Sequence, residues 1–287
     1  ICVVVAAIIL GLVLSPSVNP NRDAAFAGSG QGSGLTFYAT SDTPFDRDEE
    51  EQLAKDLSTI PNDAEFVMHL GNMQDADLSL CPETRAAEAS SILRKSPVPM
   101  LVVPGEHDWV KCPRQADALN RWLAAFQNYD QEFARIMSFT RSANHPEVFV
   151  VLHKGVLFFG MHLVNGRVED TEELEFLQED MKSFFIGMLQ DFAGQYRAIV
   201  MMGNARPGPR QQAFFTSIAP TLNAIEAPVV YLHANYGDTD VVMHTPFEDV
   251  DVLAIQVPKG GDHPPLKISV GFGSKPFVVG WRSMRLL

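Results

Sequence analysis

Residues that bind cations or move protons recur in this chain directly after short apolar runs. Ser41-Asp42-Thr43-Pro44 follows GLTFYAT, Gly71-Asn72 follows AEFVMHL, and Gly105-Glu106-His107-Asp108 follows VPMLVVP. Further along, Gly203-Asn204-Ala205-Arg206-Pro207 follows YRAIVMM, and His233-Ala234-Asn235-Tyr236-Gly237 follows APVVYL. Carboxylate and amide oxygens suit a hard cation such as Mg2+ or Ca2+, and an imidazole between two carboxylates suits general acid work.

Such residues act together only if the fold gathers the ends of those runs. The runs read as short buried strands, and helical spacing separates them: FDRDEEEQLAKDLSTI, then ETRAAEASSILRKS. Strand-helix alternation implies a largely parallel sheet, in which ligands collect at the carboxyl ends of the strands. RQADALNRWLAAFQNYDQEFARIM reads as a helix, EVFVVLHKGVLFFGMHLV as a hairpin turning at Lys154-Gly155, and roughly 170 to 192 as a long amphipathic helix. PRQQAFFTSIAPTLNAI is a further helix. The late strands APVVYLHAN, TDVVMHTP, VDVLAIQV, PLKISVGFG and PFVVGWR, with no helix between them, suggest an antiparallel second sheet stacked on the first.

With VPGEHDW and LGNMQD as its best pieces, the order of these motifs over about residues 34 to 282 resembles the calcineurin-like metallophosphoesterase superfamily. The marks of that superfamily are D-x-H, G-D-x-x-D, G-N-H-D/E, a lone His after a strand, and G-H-x-H. The resemblance implies an α/β fold of two stacked mixed β-sheets flanked by helices, a four-layer αββα sandwich. It also implies two metal ions bridged by the G-D aspartate, with a metal-bound hydroxide attacking phosphorus.

The chain departs from that pattern at nearly every ligand. Asp42 matches the first aspartate, but Pro44 stands at the first histidine. Asn72 replaces the bridging aspartate, and Glu106 replaces the asparagine of G-N-H-D, while His107 and Asp108 are kept as the catalytic pair. Asn204 takes the lone-histidine position and Asn235 falls near the last motif, where a shift of about two residues would bring His233 in instead. Imidazoles and the bridging carboxylate supply most of the affinity for transition metals, so no dinuclear cofactor is expected. The alternative is a single Mg2+, Ca2+ or other residual divalent ion on Asp42, Asn72, Glu106, Asn204 and Asn235, with Arg206 as a phosphate contact. Asparagines and aspartates at strand ends also simply accept turn hydrogen bonds.

The remaining features bound the function. Lys and Arg total 22 against 35 Asp and Glu, a net charge of -13 without a basic cluster, which argues against nucleic acid. No G-x-S-x-G, Walker or G-x-G-x-x-G motif occurs, and GSGQGSG lies before the first strand as a linker. His69, His153, His162, His233 and His244 sit in or beside apolar strands and read as core or edge residues, and DRDEEE reads as a solvated helix start.

Residues 1–18 form an apolar segment, ICVVVAAIILGLVLSPSV, expected to be a membrane anchor or signal remnant; residues 19–33 are a linker and 34–287 one domain. Cleavage near Ala27, giving a soluble lumenal or secreted protein, is the alternative. In an exported protein Cys81 and Cys112 read as a disulfide. The expected function is a pseudoenzyme or structural and binding subunit, with protein partners, on the extracytoplasmic side of a membrane. An active single-cation phosphohydrolase and a non-catalytic anion-binding module are the alternatives.

Overall fold

The computed structural model describes residues 34–74, 81–127, 129, 137–234, 241–247, 249–272 and 276–280. The apolar N-terminal segment, the linker and Asn235 lie outside the described residues. Among the described residues no helix is long and apolar enough to cross a membrane.

The strands are β1 (Leu35–Thr40), β2 (Val67–His69), β3 (Met100–Val102), β4 (Phe139–Arg141), β5 (Phe149–His153), β6 (Val156–Gly160), β7 (Ala198–Met202), β8 (Val229–Ala234), β9 (Met243–His244), β10 (Leu253–Val257), β11 (Leu266–Val270) and β12 (Phe277–Gly280). The helices are α1 (Arg47–Ser58), α2 (Arg85–Leu93), α3 (Glu106–Trp109), α4 (Gln115–Phe126), α5 (Thr171–Asp191) and α6 (Pro209–Ala224). One sheet of five strands runs β12-β11-β1-β2-β3, and one of seven runs β4-β5-β6-β7-β8-β10-β9.

Strand alternation builds the four layers. Phe37, Ala39, Phe66, Met68 and Leu101 of the first sheet meet Phe158, Val200, Leu232 and Ile255 of the second in one continuous core. The opposite face of the first sheet, through Tyr38, Val67 and Met100, packs on α1, α2 and α4. The opposite face of the second, through Leu157, Phe159 and Tyr231, packs on α5 and α6.

Helix starts follow local chemistry. Asp46 caps α1 by accepting from Glu49 N at 2.9 Å, three acidic residues fill its first turn, and Leu53 and Leu57 are its buried stripe. Asp170 caps α5 by accepting from Glu173 N at 3.0 Å, and Leu177, Met181, Phe185 and Leu189 recur every fourth residue on its buried face.

The late strands correct one expectation. They do not make an antiparallel second sheet of their own: β10 runs parallel to β8 and antiparallel to β9, while β11 and β12 cross back to the first sheet, antiparallel from β1 outward. An unpaired β1 edge buried among core residues would leave its N–H and C=O groups without partners, and β11 covers it from Leu35↔Val270 to Ala39↔Leu266.

Candidate functional site

The ends of β1, β2, β3 and β7 meet in one buried cluster. Asp42 and Asn72 both have left-handed backbones, φ 53° and φ 60°, a region that asparagine and aspartate enter more readily than most residues. Gly71, at φ +80°, and Gly105 allow the two loops to touch. A Cβ on Gly71 would lie 2.3 Å from Gly105 N, and one on Gly105 would lie 2.1 Å from Asn72 N.

The Asn72 side chain is the hinge of the cluster. Its Oδ1 accepts from His107 N at 2.9 Å, which fixes the amide orientation, and its Nδ2 then donates to Asp42 Oδ1 at 2.7 Å. The other oxygen of Asp42 accepts from Ser41 Oγ at 3.0 Å. Asn204 is likewise engaged at both ends: its Nδ2 donates to Leu70 O at 2.7 Å and its Oδ1 accepts from Glu106 N at 3.2 Å.

The Asp108 carboxylate accepts three backbone N–H groups: Met73 at 2.6 Å, Gly105 at 2.8 Å and Asn72 at 3.0 Å. Burial pushes its pKa up to about 6, against the opposing pull of those three donors and of His107. The His107 ring lies 6.0 Å from the Phe45 ring, between the loops after β1 and β3.

Glu106 is buried, with Lys111 Nζ at 2.9 Å from its carboxylate. Arg206 is exposed, and its charge acts on His233 and His244. His233 shares the Tyr231 face of the second sheet, 5.9 Å from the His244 ring, and donates from Nδ1 to Ala234 O at 2.9 Å. The structure thus joins Asp42, Asn72, Glu106, His107, Asp108 and Asn204 in one network and leaves Arg206 with the histidines. Among the described residues, no three His, Cys, Asp or Glu side chains gather as a cation site.

The fold has a solved counterpart. It matches, with a TM-score of 0.53, a chain described as GAP50, the anchor in the inner membrane complex of Plasmodium; the match covers 88% of this chain and 85% of that one at 12% sequence identity. At that identity the likeness is one of fold. No family model and no curated protein matches this chain.

Two residues around the cluster, Arg85 and Gln74, escape the sequence reading, and His69, expected as a core or edge residue, is buried. Arg85, buried, donates from Nε to Met73 O at 2.8 Å and from Nη2 to Pro44 O at 2.6 Å, and pairs with Glu50. It ties the loop after β1 to the loop after β2. Fully buried His69 accepts from Gly71 N at 3.1 Å through Nδ1 and so donates from Nε2 to Thr43 O at 2.8 Å; burial lowers its pKa to about 4. Gln74 donates to His107 O, and its Nε2 lies 3.3 Å and 3.2 Å from the sulfurs of Cys81 and Cys112. Those cysteines form the expected disulfide, which staples the segment after β2 to the turn after α3.

Proposed function

We propose that this domain is a metallophosphoesterase-like fold without a dinuclear centre, acting as a structural and binding subunit of a membrane-associated assembly on the extracytoplasmic side. The observation that carries the proposal is the Asn72 amide. Where the resemblance places a bridging carboxylate, a neutral group donates to Asp42 and accepts from the His107 backbone, so hydrogen bonds do the cross-linking that cations do in that family.

This donor set does not fit two transition metals. A cation at Asp42 would face an N–H donor, the Asn204 amide is spent on backbone groups, and the carboxylate of Glu106 is paired with a lysine. His107 then has no activated water to protonate against, and its place in the network is positional.

Two further observations support the location. A disulfide persists in oxidising compartments, and the structural counterpart is itself described as an anchor in a membrane complex. Residues 1–18 would supply the membrane attachment.

The test is hydrolysis of phosphomonoester and phosphodiester substrates with added Mn2+, Zn2+, Mg2+ or Ca2+, alongside membrane fractionation of the chain with and without residues 1–18. The expected result is no turnover above buffer and membrane retention that depends on those residues. Metal-dependent turnover that falls on His107→Ala would establish the single-cation hydrolase instead.

A further inference from the structure

A cleft of about 340 Å³ opens on the helix-covered side of the second sheet, between α3, the first turns of α4 and α5, and the ends of β5 and β6. Its body is apolar, walled by Trp109, Leu119 and Leu174, and its volume lies at the lower end of the range for small-molecule sites. We propose that it binds a small organic cation, an alkylammonium or guanidinium group on an aliphatic stem. This inference stands apart from the proposed scaffold role.

Charge is the first argument. Glu147, Glu169, Asp170 and Glu173 line the cleft, and among the described residues that do so there is no lysine or arginine. The basic groups present are the imidazoles of His145 and His162, and each is already held by carboxylates. His145 contacts Asp180 Oδ2 at 2.9 Å and Glu173 Oε1 at 3.2 Å, while His162 Nδ1 lies 2.7 Å from Glu147 Oε1. The His162 contact also holds the buried Glu147 carboxyl below its ordinary value, although burial alone would raise it, so the inner wall keeps a carboxylate.

The second argument is an unanswered polar atom. His162 is 2% exposed, and with Nδ1 turned to Glu147 its other nitrogen, Nε2, is buried without a hydrogen-bond partner. Native structures seldom leave such groups unmet. An imidazole that donates through Nδ1 offers a lone pair at Nε2, and an ammonium or guanidinium entering the inner end of the cleft brings the N–H that it lacks.

The site is also built rather than incidental. Gln115 donates to Val110 O at 2.7 Å and to Arg167 O at 2.8 Å and accepts from Glu169 N at 2.8 Å, locking α4 to the loop that carries Glu169. An aliphatic stem matches the leucine walls, and a cation gains further from an aromatic one.

The experiment is isothermal titration of the purified chain at neutral pH with n-butylammonium and n-butylguanidinium, with n-butanol as the neutral isostere. The expected result is saturable one-site binding of at least one cation and none of the alcohol. Glu147→Gln should weaken binding about tenfold or more, and Leu119→Trp, which fills the cleft from its half-buried wall, should abolish it. If Glu147→Gln fails to fold, Leu119→Trp decides. No saturable binding of either cation up to about 10 mM, equal binding of n-butanol, or binding unchanged in Leu119→Trp would overturn the proposal.

Discussion

The side-chain amide of Asn72 sits 2.7 Å from the Asp42 carboxylate, joining the ends of two neighbouring parallel strands by one charge-assisted hydrogen bond. An aspartate at 72 would set a second carboxylate against the first. Asn72→Asp should therefore lower unfolding free energy by roughly 2–4 kcal/mol in metal-free buffer, with one carboxyl of the pair raised in pKa. Denaturant titration with and without Mn2+ checks this; recovery with Mn2+ would show that a carboxylate at 72 is all that separates the network from a cation site.

Arg85 joins Pro44 O, Met73 O and Glu50 through one planar fork. Arg85→Ala should cost roughly 2–4 kcal/mol, and Arg85→Lys should recover less than half of that, because an ammonium cannot span three partners in that geometry. Thermal and denaturant unfolding of the two variants measure the difference.

These partners show where sequence legibility stops. Strand-helix alternation through β3, the strand ends and the turn at Lys154-Gly155 are legible because burial and turn chemistry write them into local pattern. Arg85 is not, since it binds backbone carbonyls of two distant loops, and carbonyls leave no mark in side-chain types. The return of β11 to β1 is set by which edge needs covering, which is a tertiary matter. Glu147 and His162 lie between these cases. Once the hairpin turns at Lys154-Gly155, with His153↔Val156 and Phe149↔Gly160 paired, counting outward two more residues sets Glu147 opposite His162. Reading His162 alone, as a core residue, hides its partner.

Asp108 carries three backbone donors on one carboxylate. Asp108→Ala would leave the N–H groups of Asn72, Met73 and Gly105 unmet at a cost of roughly 3–5 kcal/mol. The pH dependence has a definite sign. A folded pKa near 6 against an ordinary 3.8 means that the folded state holds the proton more tightly, so this contribution is full below about 3.8 and is lost as pH rises through about 6. Unfolding free energies of the wild type relative to Asp108→Asn should fall across that interval.

His69 has the opposite sign. Its pKa is lowered by burial from 6.5 to about 4, so its contribution is present above about 6.5 and lost as pH falls toward 4. NMR titration of the His69 ring should show a neutral imidazole at pH 5, and a charged ring there would refute the hydrogen-bond assignment to Gly71 N and Thr43 O.

The disulfide closes a loop with a sequence separation of 31. In the chain-entropy picture that constraint is worth about 3–4 kcal/mol, so the double variant Cys81→Ser, Cys112→Ser should unfold at correspondingly lower denaturant. The same variant should loosen the Gln74 contact to His107 O, read as faster amide exchange in residues 105–112.

The proposal that hydrogen bonds stand where a metal centre would is tested most directly by elemental mass spectrometry of protein purified without chelators. The expected result is far less than one equivalent of any transition metal per chain. Two equivalents of zinc, iron or manganese would contradict it, because two such ions need the charge that Asn72 does not carry.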